Sequence, residues 1–158
     1  MYDVAVIGCG IVGAAAAYEL SRYNCRVLVL EAKNDVANVT TKANSAILHA
    51  GYDPTPGTLM AETNVRGVAL AKELCEKLDV EREEIGSLVL AFGEEDERHL
   101  EKLYQQGLAN GVPGIELLTA DEVHALEPNV SDKVTAALYA PTAAIVSPWE
   151  YALALAET

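Results

Sequence analysis

The chain has 158 residues, of which 51% are hydrophobic, and its 24 acidic and 11 basic residues give a formal net charge of −13. This length and apolar content suit one ordinary domain, or one domain with part of another, and exclude a disordered chain. Lys and Arg are few and scattered. Nucleic acid and anionic membrane surfaces are therefore excluded as expected partners, because both attract clustered positive charge.

Residue counts and spacings exclude further classes of site. The three cysteines, Cys9, Cys25 and Cys75, are far apart and odd in number, which indicates a reducing compartment rather than a disulfide scaffold. No cysteine pair or histidine cluster has metal-ligand spacing, so we expect no metal site.

No apolar run reaches the roughly 18 residues of a transmembrane helix, and Met1 opens no leader peptide. We expect a cytoplasmic protein, which a partner could hold at the inner membrane.

The first thirty residues predict a βαβ unit. An apolar run at 4–7 predicts a buried strand, and a second run at 27–30 predicts another. Between them, small residues and Leu20 predict a helix from Ile11 to Tyr23, with Asn24 as its C-terminal cap. Strands joined by a helix in so few residues must be parallel, with a right-handed crossover.

A long polar segment separates this unit from the next helix. The segment from Lys33 to Ser45 has little periodicity, and a long loop within a compact domain is usually functional. Thr58 is then placed to cap a helix that runs to about Leu78, because the apolar residues after it recur on one helical face.

The second half predicts a mixed α/β region. The expected elements are a strand at 87–92, a helix at 95–109 stopped by Asn110-Gly111, a strand at 115–118, a helix at 119–126 opened by a Thr119/Glu122 capping box, and paired strands at 134–139 and 143–146 around Pro141. A last helix begins at Ser147, which is an N-cap followed by proline.

These elements predict an α/β fold that is an N-terminal fragment of a longer chain. We expect the first part of a Rossmann-like domain at 1–79, the start of a mixed α/β substrate-binding region at 80–146, and a helix returning to the first domain at 147–158. A two-stranded parallel sheet needs neighbours and two covered faces, which is the reason to expect more chain.

The turn after the first strand fits the glycine pattern of dinucleotide-binding folds. Gly8 permits a sharp turn, Gly10 permits close approach of a diphosphate to the backbone, and Gly13 permits close packing of the helix. The amides at the helix N-terminus then face the phosphates. Glu31 ends the second strand, where its carboxylate can accept both hydroxyls of an adenosine ribose. The alternative is a tight turn with an incidental surface glutamate.

The βαβ unit alone does not distinguish FAD from NAD. An extended FAD needs a second stretch of chain along its diphosphate and ribityl arm, and the polar segment offers suitable groups. They are Thr40, Thr41, Lys42, Asn44 and Ser45. A solvated loop is an equal alternative for this segment.

Three segments together resemble one family. Residues 3–31, 41–51 and 144–148 resemble the FAD-dependent oxidoreductases of the D-amino-acid-oxidase type, and among these the L-2-hydroxyglutarate dehydrogenases and the anaerobic-type glycerol-3-phosphate dehydrogenases. The resemblance covers nearly the whole chain. It implies a flavoenzyme with a Rossmann-like FAD domain interleaved with a substrate domain.

The resemblance also implies site residues. The diphosphate would be held by Gly8, Gly10, Ile11, Val12 and Gly13, and the ribose by Glu31. Ala32 and Lys33 would lie beside the adenine, Thr41, Asn44 and Ser45 would touch the phosphates, and His49 would approach the flavin. Ala46 stands where relatives often have glycine, and Lys42-Ala43 stands where they often have Gly-His.

The implied activity is oxidation of a small anionic secondary alcohol, glycerol 3-phosphate or L-2-hydroxyglutarate, by hydride transfer to the flavin. His49 is the candidate base, since imidazole exchanges protons near neutral pH; the alternative is a hydrogen bond to the flavin or to a backbone carbonyl. The electron acceptor would be a quinone or a partner iron–sulfur subunit. The alternatives are an amine or amino-acid oxidase of the same superfamily and a non-catalytic dinucleotide-binding module. The fragment alone is expected to be inactive and to retain FAD weakly or not at all.

Overall fold

The computed structural model describes all 158 residues, which form eight strands, five α-helices and one short 3-10 helix. The strands are β1 (Val4–Ile7), β2 (Val27–Leu30), β3 (Ile47–Leu48), β4 (Arg82–Glu83), β5 (Ser87–Ala91), β6 (Glu116–Thr119), β7 (Ala136–Ala140) and β8 (Ala144–Val146). The helices are α1 (Ile11–Leu20), α2 (Leu59–Leu78), α3 (Glu94–Asn110), α4 (Ala120–Leu126) and α5 (Pro148–Glu157), and the 3-10 helix is Thr40–Lys42.

By contact, the chain divides into two compact units. The first comprises residues 1–46, 73–82 and 146–158, and the second comprises residues 47–72 and 83–145. Helix α2 belongs to both, because Val65 packs in the core of the second unit while Leu74 and Leu78 pack in that of the first. The division at 1–79, 80–146 and 147–158 concerns the domains of a longer protein and stays a prediction.

The first unit contains the expected βαβ motif. Strands β1 and β2 pair in parallel, with Val4 opposite Val27 and Ile7 opposite Leu30. Helix α1 connects them, so the Rossmann-like unit predicted from the sequence is confirmed. The parallel register places the carboxyl ends of both strands, Ile7 and Leu30, side by side, which is the edge where open α/β sheets bind ligands.

Helix α1 ends earlier than the sequence suggested. It stops at Leu20, and Ser21 rather than Asn24 is its cap residue. The Ser21 hydroxyl donates to the carbonyl oxygen of Tyr18 at 2.7 Å, and the Tyr23 amide donates to the Leu20 carbonyl in a tight turn at 3.0 Å. These local bonds take up the carbonyls that a longer helix would have used.

The core of the first unit lies between α1 and α5. Cys9, Ala14, Tyr18 and Leu155 are buried together, and Ala14 has no exposed surface. The small side chain of Ala14 therefore serves close packing within this core. The Lys77 ammonium group donates to the phenolic oxygen of Tyr18 at 2.7 Å, so the one polar atom of this ring has a partner.

The second unit is built on an antiparallel sheet of three strands in the order β5-β7-β6. One core joins this sheet to α3 through Leu100, Leu103 and Leu138, and another joins it to α4 through Val123 and Ala137. Both helix boundaries follow the sequence signals: Gly111 caps α3 with φ +76°, and the Thr119/Glu122 capping box opens α4.

One expected strand pair is wrong. Strands β7 and β8 were expected to pair around Pro141, but β7 lies between β5 and β6, and β8 lies between β3 and β4 in a separate sheet. Both edges of β7 are occupied by its neighbours. The turn at 140–143, closed by the Ala143 amide on the Ala140 carbonyl at 3.2 Å, carries the chain from one sheet to the next.

Candidate cofactor-binding site

Two glycines, Gly8 and Gly10, leave part of the turn from β1 to α1 without side chains of its own. Gly8 has φ +95°, a conformation that side chains disfavour, and its amide donates to the Leu30 carbonyl at 2.7 Å. Gly10 is the N-cap of α1 and supplies no side chain to cover the helix end. The first amides of a helix have no partner within the helix, so this end can bind an anion.

Sterics require glycine at position 13 and leave little room for a side chain at position 10. A Cβ on Gly13 would lie 2.0 Å from the carbonyl oxygen of Gly8, which backbone atoms cannot accommodate. A Cβ on Gly10 would lie 3.0 Å from the Thr41 hydroxyl oxygen, a contact tighter than normal packing allows. Gly13 thus lets α1 start directly against the turn, and Gly10 lets the loop at Thr41 approach it.

The Glu31 carboxylate lies at the mouth of this turn. Its Oε2 accepts from the amide of Cys9 at 2.7 Å, and its Oε1 accepts from the amide of Lys33 at 2.8 Å. These backbone hydrogen bonds, that from Cys9 first, hold the pKa of Glu31 below its ordinary value, so the group stays ionised at neutral pH. Each oxygen keeps a second lone pair for a ligand hydroxyl.

Thr41 closes the other side of the turn. Its hydroxyl oxygen accepts from the amide of Ile11 at 3.0 Å, across 30 residues of chain. Ile11, expected among the diphosphate ligands, therefore has its amide already bonded within the chain. Since the Thr41 oxygen accepts that bond, its own hydroxyl hydrogen is left to donate outward.

Asn44 shapes the polar segment. Its amide nitrogen donates to the carbonyls of Thr40 and Thr41 at 3.2 and 2.7 Å, and its carbonyl oxygen accepts from the Ala46 amide at 2.8 Å. These bonds fold the 3-10 turn that presents Thr41. A direct contact of Asn44 with phosphate, like that of the exposed Ser45, stays a prediction.

The remaining predicted residues are distributed over both units. Gly8, Gly10, Gly13, Glu31 and Thr41 meet in the first unit, where Val12, Ala32 and Lys33 are exposed nearby along the chain. His49 is exposed and follows β3 in the second unit. Its approach to a flavin stays a prediction.

Sequence reasoning missed two bonds that shape the site. The Thr41–Ile11 bond joins residues 30 apart, and the Ala37 amide donates to the Cys9 carbonyl at 2.8 Å. Both come from the polar segment, whose sequence has no period from which to infer a register. Only the run of Thr and Asn signalled that this segment makes side-chain-to-backbone bonds.

The arrangement fits a dinucleotide such as FAD. A diphosphate needs backbone approach without a Cβ and a positive helix end, and a ribose needs a fixed carboxylate; the glycine turn and Glu31 supply both. No three His, Cys, Asp or Glu side chains gather to hold a metal ion. None of the five helices has the length and apolar character needed to cross a membrane.

Comparison with known proteins agrees with this geometry. The chain is 52% identical over 157 residues to a glycerol 3-phosphate dehydrogenase of Caloramator mitchellensis, covering 99% of this chain and 33% of that protein. It is 34% identical over 149 residues to a mitochondrial L-2-hydroxyglutarate dehydrogenase of Dictyostelium discoideum, covering 92% of this chain and 33% of that one.

A solved structure also superposes closely. The L-alpha-glycerophosphate oxidase of Mycoplasma pneumoniae, with FAD bound, has a TM-score of 0.91 and 34% identity, and covers 99% of this chain and 41% of that one. The chain thus spans about a third of the length of the relatives. This extent is that of an N-terminal FAD-binding fragment, as the sequence predicted.

The family model of FAD dependent oxidoreductases, DAO, matches residues 3–158. With the parallel βαβ unit, the glycine turn and the carboxylate at its mouth, this match identifies the chain as a member of the DAO family of FAD-dependent oxidoreductases.

Proposed function

We propose that this chain forms the FAD-binding part of a dehydrogenase that oxidises a small anionic secondary alcohol by hydride transfer to the flavin. The single observation that carries the proposal is the 2.7 Å bond from the Cys9 amide to Glu31, which fixes a carboxylate beside a glycine turn at the edge of a parallel sheet. The similarity to a protein named glycerol 3-phosphate dehydrogenase favours glycerol 3-phosphate as substrate, and L-2-hydroxyglutarate is second.

Cofactor binding is assigned to the first unit. The diphosphate lies against the exposed start of α1 at Gly10, Val12 and Gly13, with the outward hydroxyl of Thr41 donating to it. Glu31 accepts from the adenosine ribose through the lone pairs that Cys9 and Lys33 leave. Because this carboxylate is ionised, it repels a phosphate on the 2′-oxygen of the ribose. It therefore favours FAD or NAD over a dinucleotide that carries a 2′-phosphate.

The chain's part in the reaction is to orient and to move a proton. Bound FAD supplies the capacity to accept a hydride from the alcohol carbon. His49 is proposed to take the hydroxyl proton, since an exposed imidazole can accept it and pass it to solvent. Replacement of His49 by Gln would then lower kcat strongly; near-normal turnover of that variant would remove the base role.

The electron acceptor is proposed to be a quinone or a partner iron–sulfur subunit. This chain spans about a third of the relatives' length, so the complete protein's activity, substrate and acceptor belong to the proposal. The alternatives are an amine or amino-acid oxidase of the same superfamily and, from another class, a non-catalytic dinucleotide-binding module.

One experiment separates these functions. The complete protein containing this chain is purified and mixed without oxygen with glycerol 3-phosphate, L-2-hydroxyglutarate or glycine, and flavin absorbance is followed. Bleaching by either alcohol supports flavin-dependent oxidation of a secondary alcohol, while bleaching by glycine supports an amine oxidase. A yellow protein that no substrate bleaches supports the non-catalytic module, and a colourless protein that binds NAD contradicts the FAD assignment.

A further inference from the structure

The loop at residues 51–54 of the second unit is held by hydrogen bonds from side chains of α3. The side-chain amide of Asn110 donates to the carbonyl oxygens of Gly51 and Pro54 at 2.9 and 2.8 Å. That of Gln106 donates to the carbonyl oxygens of Tyr52 and Asp53 at 3.3 and 3.1 Å. Two side chains of α3 thus engage four consecutive carbonyls.

The opposite side of this loop packs against α2. Gly51 has φ +109°, and a Cβ there would lie 2.6 Å from Val65 Cγ2 and 3.2 Å from Asn64 Oδ1. The backbone at 51–54 is therefore fixed from two sides, by hydrogen bonds from α3 and by contact with α2. Such support is typical of loops that position functional side chains.

The loop at 51–54 lines a cavity of about 360 Å³ that lies wholly within the second unit. Its walls include His49, Tyr52 and Asp53 from the loop region, Asn64 from α2 and His99 from α3. This volume is within the range of small-molecule sites, roughly 300–1,000 Å³. The candidate base His49 and the fixed loop thus share one cavity.

The lining has a distinctive charge inventory. Asp53 is the one acidic residue in it, and neither Lys nor Arg contributes. The other polar side chains are the phenol of Tyr52, the amide of Asn64 and the imidazoles of His49 and His99, which can exchange hydrogen bonds with hydroxyl groups. A ligand carboxylate or phosphate here would face Asp53 without a Lys or Arg to balance its charge.

We propose that this cavity receives the uncharged, hydroxyl-bearing end of the substrate, and that Asp53 excludes substrates whose corresponding end is a carboxylate. This inference rests on the proposed dehydrogenase function and adds its specificity determinant. Glycerol 3-phosphate has one uncharged hydroxymethyl end. L-2-hydroxyglutarate ends in carboxylates at both sides, so either orientation brings a negative charge to Asp53. The cavity therefore selects the former.

The first test compares specificity in the FAD-loaded complete protein. Asp53→Asn removes the charge and keeps the shape, and Asp132→Asn, an exposed residue outside the cavity, is the matched control. We expect Asp53→Asn to raise the ratio of kcat/KM for L-2-hydroxyglutarate to that for glycerol 3-phosphate about fivefold, mainly through KM, and the control to leave it unchanged. An unchanged ratio in Asp53→Asn overturns the role of Asp53.

The second test needs no turnover and no variant. The ring signals of His49 and His99 are followed by NMR in the complete wild-type protein, with its flavin chemically reduced so that no substrate is oxidised, during titration with glycerol 3-phosphate and, separately, with glutarate. We expect both rings to shift with the former and neither with the latter. If neither ligand moves them, or glutarate moves them equally, the cavity assignment fails even in an enzyme that oxidises glycerol 3-phosphate. Shifts with glycerol 3-phosphate but no oxidation would instead refute only the dehydrogenase function.

Discussion

At the scale of single residues, Glu31 connects fold and function. Its carboxylate accepts from two backbone amides, Cys9 and Lys33, and these bonds lower its pKa. A group with a lowered folded-state pKa stabilises the fold above its unfolded-state pKa and loses that effect as pH falls through the folded-state value. Glu31 therefore makes the turn acid-sensitive.

Replacing Glu31 by Gln tests this linkage. At neutral pH, the free energy of unfolding of the wild-type chain should exceed that of Glu31→Gln. Urea titration measures both, from neutral pH to below the ordinary glutamate pKa of 4.5. The difference should shrink as the pH falls below that value. A difference that grows toward acid would contradict the pKa direction, and Asp121→Asn, whose residue is exposed in α4, is the control.

Ala46 is a second residue with a local consequence. Its φ of +63° lies in the left-handed region, where a side chain costs about 1–2 kcal/mol relative to glycine. The family resemblance implies that relatives often have glycine at this position. The backbone conformation gives that difference a physical reason.

Ala46→Gly should therefore raise the free energy of unfolding by about 1 kcal/mol, less the entropy that glycine adds to the unfolded chain. Chemical denaturation of the two proteins measures it. Ala69→Gly, on the exposed side of α2, should lower the free energy by about 1 kcal/mol and is the control. If Ala46→Gly destabilised the chain as much as the control, the left-handed conformation would be refuted.

At the scale of elements, the glycine turn and helix α1 form one steric unit. Gly13→Ala would place a Cβ 2.0 Å from the Gly8 carbonyl oxygen, so the helix must move away from the turn. We expect a loss of about 1–3 kcal/mol in unfolding free energy and weaker FAD binding.

Gly67→Ala is the matched control for this change. Gly67 lies within α2, and a Cβ there would meet nothing within 4 Å. Alanine should thus stabilise the helix by about 0.5–1 kcal/mol without changing FAD affinity. Thermal unfolding and FAD titration of both variants distinguish them, and equal effects would show that Gly13 has no special role.

The hydrogen bonds from α3 to the loop at 51–54 are a second feature at the scale of elements. Asn110→Ala leaves the carbonyls of Gly51 and Pro54 without their donor, which should cost about 2 kcal/mol in unfolding free energy. Hydrogen exchange should also accelerate at Tyr52 and Asp53. Gln105→Ala, which loses only an exposed bond to Glu101, should change neither; unaltered exchange in Asn110→Ala would contradict the bracing role.

The elements also show what sequence can predict. Short-range signals gave β1, β2, the capping box of α4 and the Ser147 cap of α5, because their patterns lie within a few residues of one another. Strand partnership did not follow, since β7 and β8 are adjacent in sequence yet belong to different sheets. The two-residue strands β3 and β4 are too short to have a recognisable alternation.

Some residues of the candidate site could likewise be predicted from the sequence, and others could not. The glycine spacing and the acidic end of β2 predicted Gly8, Gly10, Gly13 and Glu31, since the βαβ unit fixes their relative positions. The bond from Ile11 to Thr41 and the clamp from Gln106 and Asn110 join residues 30 or more apart. Such contacts depend on tertiary packing, which local pattern does not encode.

At the scale of the whole molecule, the chain has a net charge of −13. One of its negative charges, that of Glu31, lies where we expect the ribose of the nucleotide to bind. Glu31 is held there by backbone donors rather than by a cation, so its charge remains available to ligand hydroxyls. The chain aligns with about a third of the length of its relatives. We expect this chain to bind the adenosine and diphosphate half of FAD.

Titration of the ¹⁵N-labelled chain with ADP, followed by NMR, tests the central claim most directly, because ADP contains the diphosphate and ribose without the flavin. The account predicts that the amide signals of Gly10, Val12, Gly13 and Lys33 move together with one dissociation constant, which Glu31→Gln raises roughly tenfold. Signals that stay fixed in the glycine turn while others move, or an affinity that Glu31→Gln leaves unchanged, would contradict it.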